Sequence, residues 1–204
     1  MSNKTLGSLL IVSGPSGSGK TTLCRRAEAD GLAAYSISCT TRAPRNGEID
    51  GKDYYFLTQS DFDAKVASGE FLEHACVHGN SYGTLLSEVI RHLEQGKNVV
   101  MDIDVQGAAS IRSCQNPIIR RTYADVYIYL PRAEVEARLR GRSTDSEVTI
   151  RLRLHNADIE DARRTEYQFI LPSASREHDY TLFKTLLSAL SLRTTLRCDS
   201  IRQS

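Results

Sequence analysis

Eight consecutive residues, Gly14-Pro15-Ser16-Gly17-Ser18-Gly19-Lys20-Thr21, constrain this chain more than any other segment. They fit G-x-x-x-x-G-K-[ST] in full. The run before them, Leu9-Leu10-Ile11-Val12, is short, apolar and bounded by glycines, so it reads as a buried strand. The residues after them form a helical stretch that begins at Lys20 and ends near Gly31. A Gly/Ser-rich linker would have neither neighbour. Between a strand and a helix, the glycines let several backbone N–H groups converge on a β-phosphate, and the helix adds its positive end. Lys20 reaches the β- and γ-phosphates as a point charge, and the Thr21 hydroxyl is offered to Mg²⁺. The segment predicts a bound nucleoside triphosphate without naming the reaction.

The rest of the chain alternates strands with helices. Tyr35–Ser38 reads as a second strand, and the turn dipeptides Asn46-Gly47 and Asp50-Gly51 open a small β excursion through Tyr54–Leu57. Ser60 with Asp63 is expected to cap a helix running to Gly69. A strand over Phe71–Val77, a helix over Leu85–Gln95 and an apolar run over Asn98–Asp104 follow. Asp125–Leu130 is another buried strand; helices come at about 132–140 and 146–164, then a strand at Gln168–Leu171 and a helix near 179–192. This order predicts an α/β fold whose parallel sheet is covered on both faces. Ligands then bind at the carboxyl ends of the strands, where the glycines after Ser13 and the acids after Met101 both fall.

Charge narrows the partners. With 26 Lys and Arg against 25 Asp and Glu the net charge is +1, which argues against a nucleic acid as the main ligand but not against a small anion met by local arginines. No window is apolar enough for a membrane span, and Met1–Ser8 has no signal-peptide core. The five cysteines are scattered with no C-x-x-C, as expected of reduced thiols in a cytoplasmic protein. A length of 204 residues favours a single domain.

A second cluster begins at Ser38-Cys39-Thr40-Thr41-Arg42-Ala43-Pro44-Arg45-Asn46-Gly47-Glu48. It continues through Gly51-Lys52-Asp53-Tyr54-Tyr55-Phe56, Glu70-Phe71-Leu72-Glu73 and Gly79-Asn80-Ser81-Tyr82-Gly83-Thr84. Two arginines three apart beside a turn make a fork for a phosphate. Tyr54 and Tyr82 add hydroxyl donors or a stacking face, and a carboxylate such as Glu73 suits a base with adjacent N–H donors. With these motifs, the D-I-D-V-Q-G segment from Asp102 and the R-L-x-x-R pattern from Arg138, the sequence closely resembles the guanylate kinase family from about Leu9 to Leu190.

That resemblance implies a three-layer P-loop kinase fold with a parallel core sheet, a small β-rich GMP-binding excursion and a helical lid. It implies one domain over 1–204, with the phosphate loop at 14–21, the GMP-binding region at about 36–86 and the lid at about 138–156. The substrates would be ATP, on Gly14–Thr21, and GMP, with Mg²⁺ as cofactor. Arg42, Arg45, Tyr54 and Tyr82 would hold the GMP phosphate; Ser38, Glu73 and Thr84 would read the guanine; Glu48 and Asp102 would lie close by. Asp104 and Gln106 would orient water around the metal. Lys20, Arg138, Arg142 and Arg153 would act on the transferring group, with Arg132, Arg140, Arg151, Arg163 and Arg164 paired to Glu134, Glu136, Glu160 or Asp161 on helix surfaces.

Two positions depart from the family pattern. Ser143 stands where glycine is usual, and Leu171-Pro172-Ser173 stands where many members have a V-N-[DN] adenine contact. A homodimer stays open. Glu73, His74 and His78 make a poor transition-metal set, because histidines four apart do not meet on a strand. Rival classes, a peptide-binding module of the same fold or a P-loop kinase for another acceptor, conflict respectively with Gly19-Lys20-Thr21 and with Ser38, Glu73 and Thr84.

Overall fold

The computed structural model describes residues 5–77, 79–141 and 146–196. Its centre is β1 (Leu9–Ser13), buried at every position. The phosphate segment follows, then α1 (Lys20–Ala29) and the two-residue β2 (Ala34–Tyr35). The chain leaves the main sheet through β3 (Cys39–Thr40), β4 (Tyr55–Phe56), α2 (Gln59–Ala67), β5 (Phe71–Val77) and β6 (Asn80–Leu85). It returns by α3 (Leu86–Glu94) to β7 (Val99–Asp102), and α4 (Val105–Arg112) and α5 (Pro117–Thr122) lead on to β8 (Tyr123–Tyr129). A helical hairpin of α6 (Arg132–Gly141) and α7 (Glu147–Ala162) precedes β9 (Phe169–Pro172) and α8 (Arg176–Leu190).

The main sheet is parallel throughout, in the order β2-β7-β1-β8-β9. Side chains alternate across a strand, and both faces are used. Leu10, Val12, Val100, Val126 and Ile128 pack with Leu23 of α1 and Phe183 and Leu187 of α8. Leu9, Ile11, Val99, Met101 and Tyr127 pack with Val89 and Leu93 of α3 and with Val105 and Ile111 of α4. Burial on both faces is why these strands read as continuous apolar runs. The second sheet, β4-β3-β6-β5, is mixed, with β3 antiparallel to β6 and β6 to β5. The α6–α7 hairpin has a small core of its own, built from Val135, Leu139, Ile150, Leu154 and Ala157 under Leu130. No helix among the described residues is long and apolar enough to cross a membrane.

Three expectations need correction. The strand expected at Tyr35–Ser38 is two short strands, β2 in the main sheet and β3 in the second, so the chain changes sheets at Ser36–Ser38. The cap of α2 is Thr58, not Ser60: its hydroxyl accepts from the Asp61 amide at 3.1 Å and donates to the Asp61 carboxylate at 2.7 Å. The apolar run after Asn98 stops at Asp102, and Asp104 caps α4 by accepting from the amides of Gln106 (3.0 Å) and Gly107 (2.8 Å). Helices α4 and α5 fall outside the elements read from the sequence; both are short and begin at side-chain caps, Asp104 and Asn116. His78 and Ser143 lie outside the described residues.

Candidate active site

The phosphate loop turns on glycines. Gly14 has φ 145°, and a Cβ there would stand 2.6 Å from the Ile128 carbonyl oxygen, so both its backbone and its closeness to β8 exclude a side chain. Lys20 arches back over the loop, donating from Nζ to the carbonyls of Gly14 at 2.6 Å and Pro15 at 3.2 Å. One residue on, the Thr21 hydroxyl donates to Oδ2 of Asp102 at the end of β7. Parallel pairing of β1 with β7 sets Val12 opposite Asp102, and this register delivers the acid to the foot of α1.

Two adjoining cavities meet there. One, of about 320 Å³, is lined by Lys20, Thr21, Asp102 and Glu160. The other, of about 310 Å³, is lined by Glu73, Ala75 and Tyr82. Ser38, Tyr54, Asp102 and Asp104 line both, so the phosphate loop and the second cluster face one shared space.

On the far side of that space Glu73 of β5 is paired in register with Thr84 of β6. The Thr84 hydroxyl donates to Glu73 Oε1 at 2.9 Å, and Ser38 Oγ lies 3.3 Å from Thr84 Oγ1. Glu73 is only 7% exposed. Burial pushes its carboxyl up to about 7; the Thr84 hydrogen bond opposes this and the nearby Asp104 adds to it. Arg42 donates from one guanidinium nitrogen to both oxygens of Glu48, at 2.8 and 3.0 Å, and Glu48 also accepts from the Arg45 amide at 2.7 Å. The Arg42 and Arg45 bonds hold the Glu48 carboxyl below its usual range. Arg42 lies 5.4 Å from the Tyr54 ring, which meets Tyr82 edge-on at 6.1 Å. Glu48 thus orients the turn that carries both arginines.

The helical hairpin reaches the phosphate loop from the other side. Arg138 of α6 donates to the Gly17 carbonyl at 3.2 Å and the Ser173 hydroxyl at 3.4 Å, and Arg153 of α7 donates to the Ser16 hydroxyl at 3.4 Å. Arg142 lies outside the described residues. The remaining arginines do pair on surfaces: Arg140 with Glu136 and Arg164 with Asp161 as expected, and with other partners Arg132 with Asp158, Arg140 also with Glu147, Arg151 with Glu147 and Arg163 with Glu166.

Glu160, expected among those surface pairs, instead turns inward onto the cavity that holds Lys20. Burial pushes its carboxyl up to about 7, opposed by Lys20. Its place seven residues after Arg153, two turns along the same helix face, was the signal for it. A further cavity of about 780 Å³ opens beside Gly17, Arg26, Arg138 and Tyr180. Near it Ser173, in the segment that departs from the family pattern, donates to buried Asp179 at 2.7 Å.

A shared space with a phosphate loop on one side, tyrosines and a buried acid on the other, and an arginine-bearing turn stacked beside Tyr54 suits transfer between two nucleotides. The class is that of the P-loop nucleotide kinases. Comparison with known proteins narrows it: residues 7–190 match the family described as Guanylate kinase, and the chain belongs to that family. A guanylate kinase of Cereibacter sphaeroides is 43% identical over 189 residues, covering 92% of this chain and 88% of the relative. One from Anaeromyxobacter dehalogenans is 50% identical over 159 residues, covering 77% and 69%. The crystal structure of guanylate kinase from Anaplasma phagocytophilum superposes with a TM-score of 0.76 at 28% identity, covering 98% of this chain and 94% of that one.

Proposed function

We propose that this guanylate kinase, which transfers the γ-phosphoryl group of ATP to GMP, reads its acceptor base with Glu73 and brings the two nucleotides together across Asp102. The observation that carries the reading is the buried Glu73 carboxylate, tied to Thr84 at one oxygen and lining the cavity next to the phosphate loop. Guanine presents N1–H and its 2-amino group to such a carboxylate, whereas adenine presents a bare N1 lone pair that it repels. A recess built to pair polar groups discriminates by about 10⁴–10⁵. Ser38 and Thr84 complete the base contact, and Arg42, Arg45, Tyr54 and Tyr82 take the GMP phosphate.

The chain works as a single domain with three parts: the phosphate loop, the acceptor region over 36–86 and the lid over 138–156. Phosphoryl transfer asks little covalent chemistry of side chains; catalysis is positioning and stabilisation of charge on the group in flight. The GMP phosphate oxygen is already anionic, so transfer is direct and in line, without a general base or a phospho-enzyme. Lys20, Arg138 and Arg153, with Arg142 from the same lid, gather positive charge around the transferring group. Closure of the lid excludes the water that would otherwise accept it.

The oxygen donors at the foot of α1 fit a hard divalent cation: the Thr21 hydroxyl already touches the Asp102 carboxylate, and both line the cavity beside Lys20. Thr21 and Asp102 would hold Mg²⁺ there. Asp104, whose Oδ1 is committed to the amides of α4, would have its other oxygen left to orient water around the ion. When bound, Mg²⁺ neutralises charge shared by the β- and γ-phosphate oxygens. The free thiols Cys24, Cys39, Cys76 and Cys114 support work in the reducing cytoplasm.

The test is ADP release from ATP and Mg²⁺ with GMP, AMP, dTMP, UMP or no acceptor offered in parallel. GMP alone should support rapid turnover; comparable rates with AMP would refute the reading of Glu73.

A further inference from the structure

Gly107 sits in the first turn of α4, buried, with ordinary helical backbone that asks nothing special of a glycine. Glycine is disfavoured in helices relative to alanine, so its use here calls for a spatial reason. One is at hand. A Cβ at Gly107 would meet Glu73 Oε2 at 3.2 Å, Asp104 Oδ1 at 3.5 Å and the Ile103 Cδ1 at 3.5 Å.

We infer that Gly107 is a specificity-positioning residue: its missing side chain lets α4 close against the Glu73 carboxylate and leaves Oε2 where an acceptor base must find it. This rests on the reading of Glu73 given above.

The neighbours leave a methyl group few ways out. Glu73 Oε1 is tied to Thr84, and the side chain is almost wholly buried. Helix α4 is held by the Asp104 cap, which takes the amides of Gln106 and Gly107. Its other face is packed in the core through Val105, Ala108 and Ile111. What yields is the carboxylate, by a few tenths of an ångström, and that displacement falls on hydrogen bonds to guanine, not on the ATP side. The D-I-D-V-Q-G segment therefore serves two sites at once, with Asp102 toward the phosphate loop and Gly107 toward the base.

The experiment measures GMP and ATP binding separately by calorimetry, together with steady-state kinetics and thermal melting, for the wild type, Gly107→Ala, Glu73→Asp, Glu73→Gln and the Gly107→Ala/Glu73→Asp double variant. Gly107→Ala should weaken GMP about tenfold, the scale of one impaired charge-assisted hydrogen bond. Its ATP affinity and its kcat at saturating GMP should be unchanged, and its melting temperature equal to the wild type or higher. Shortening the acid relieves the overlap, so the double variant should bind GMP no worse than Glu73→Asp alone. Unchanged GMP affinity in Gly107→Ala, loss of GMP and ATP together with a lower melting temperature, or additive losses in the double variant would each overturn the inference. Glu73→Gln separates the two levels. If it binds GMP normally, the reading of Glu73 itself fails; if it binds GMP poorly while Gly107→Ala binds it well, only the role of Gly107 fails.

Discussion

Glu73 and Thr84 face each other across the β5–β6 pair, and the Thr84 hydroxyl donates a 2.9 Å hydrogen bond to Glu73 Oε1. That one bond does not offset the burial of the carboxylate, whose pKa stands at about 7 against an ordinary 4.5. The consequence is a pH signature that differs between the free and the bound protein.

Because the folded pKa of Glu73 is raised, its contribution to stability is fully present below about pH 4.5 and is lost as pH rises through 7. In the ligand-free protein Glu73→Gln removes a buried charge, and urea melts should find it more stable than the wild type by roughly 2 kcal/mol near pH 8. Near pH 5 the difference should shrink markedly. GMP binding runs the other way: the ionised carboxylate is the form that accepts from guanine, so wild-type affinity for GMP should fall as pH drops below about 7. A variant no more stable at high pH than at low pH would contradict the burial argument.

Lys20 spans the phosphate loop on its own carbonyls, and among the described residues no hydrogen bond joins it to the acceptor cluster. Lys20→Ala should lower kcat by about 10²–10³, the cost of one well-placed transition-state donor. Fluorescence or calorimetric titration should find GMP binding unchanged. A parallel fall in GMP affinity would mean that the loop organises both nucleotides.

The contacts of Arg138 with Gly17 and of Arg153 with Ser16, at 3.2 and 3.4 Å, are long enough to exchange readily for phosphate oxygens. Arg138→Ala and Arg153→Ala should each reduce kcat by about 10²–10⁴. Melting temperatures should move little, since both side chains lie over the loop and outside the hairpin core. Stopped-flow single turnovers would separate the chemical step from product release.

Arg42 is held by Glu48 before any substrate arrives. Replacing it with alanine should weaken GMP by about 10²-fold while leaving guanosine nearly unaffected, because only the former carries the phosphate that the guanidinium meets. Equal losses for the two ligands would place Arg42 at the base instead. Glu48→Gln should show a weaker form of the same pattern, acting through the aim of Arg42 and the Arg45 amide.

The phosphate loop was legible because everything it needs is contiguous: strand, glycines, lysine and helix lie within Leu9–Ala29, and local chain geometry suffices to assemble them. The alternation of strands with helices was legible for a similar reason, since burial on both faces writes continuous apolar runs into the chain. The acceptor cluster was readable as a set of residue types, and the family resemblance supplied its roles. No local rule, however, could say that the chain changes sheets between Tyr35 and Cys39, or that Thr58 outcompetes Ser60 as a cap.

What only the tertiary structure decided are the meetings between distant residues: Thr21 with Asp102, Arg138 with Gly17, Arg153 with Ser16, and Glu160 turned in toward Lys20. Each depends on strand register or on how a helix face is rotated, and side-chain type alone carries neither. Gly107 is the sharpest case: its backbone is ordinary and nothing in its own helix demands it, so its meaning lies wholly in the carboxylate that approaches from β5. Local order records what a segment prefers; long-range packing determines what it is set against, and the chemistry of this site is made of the second.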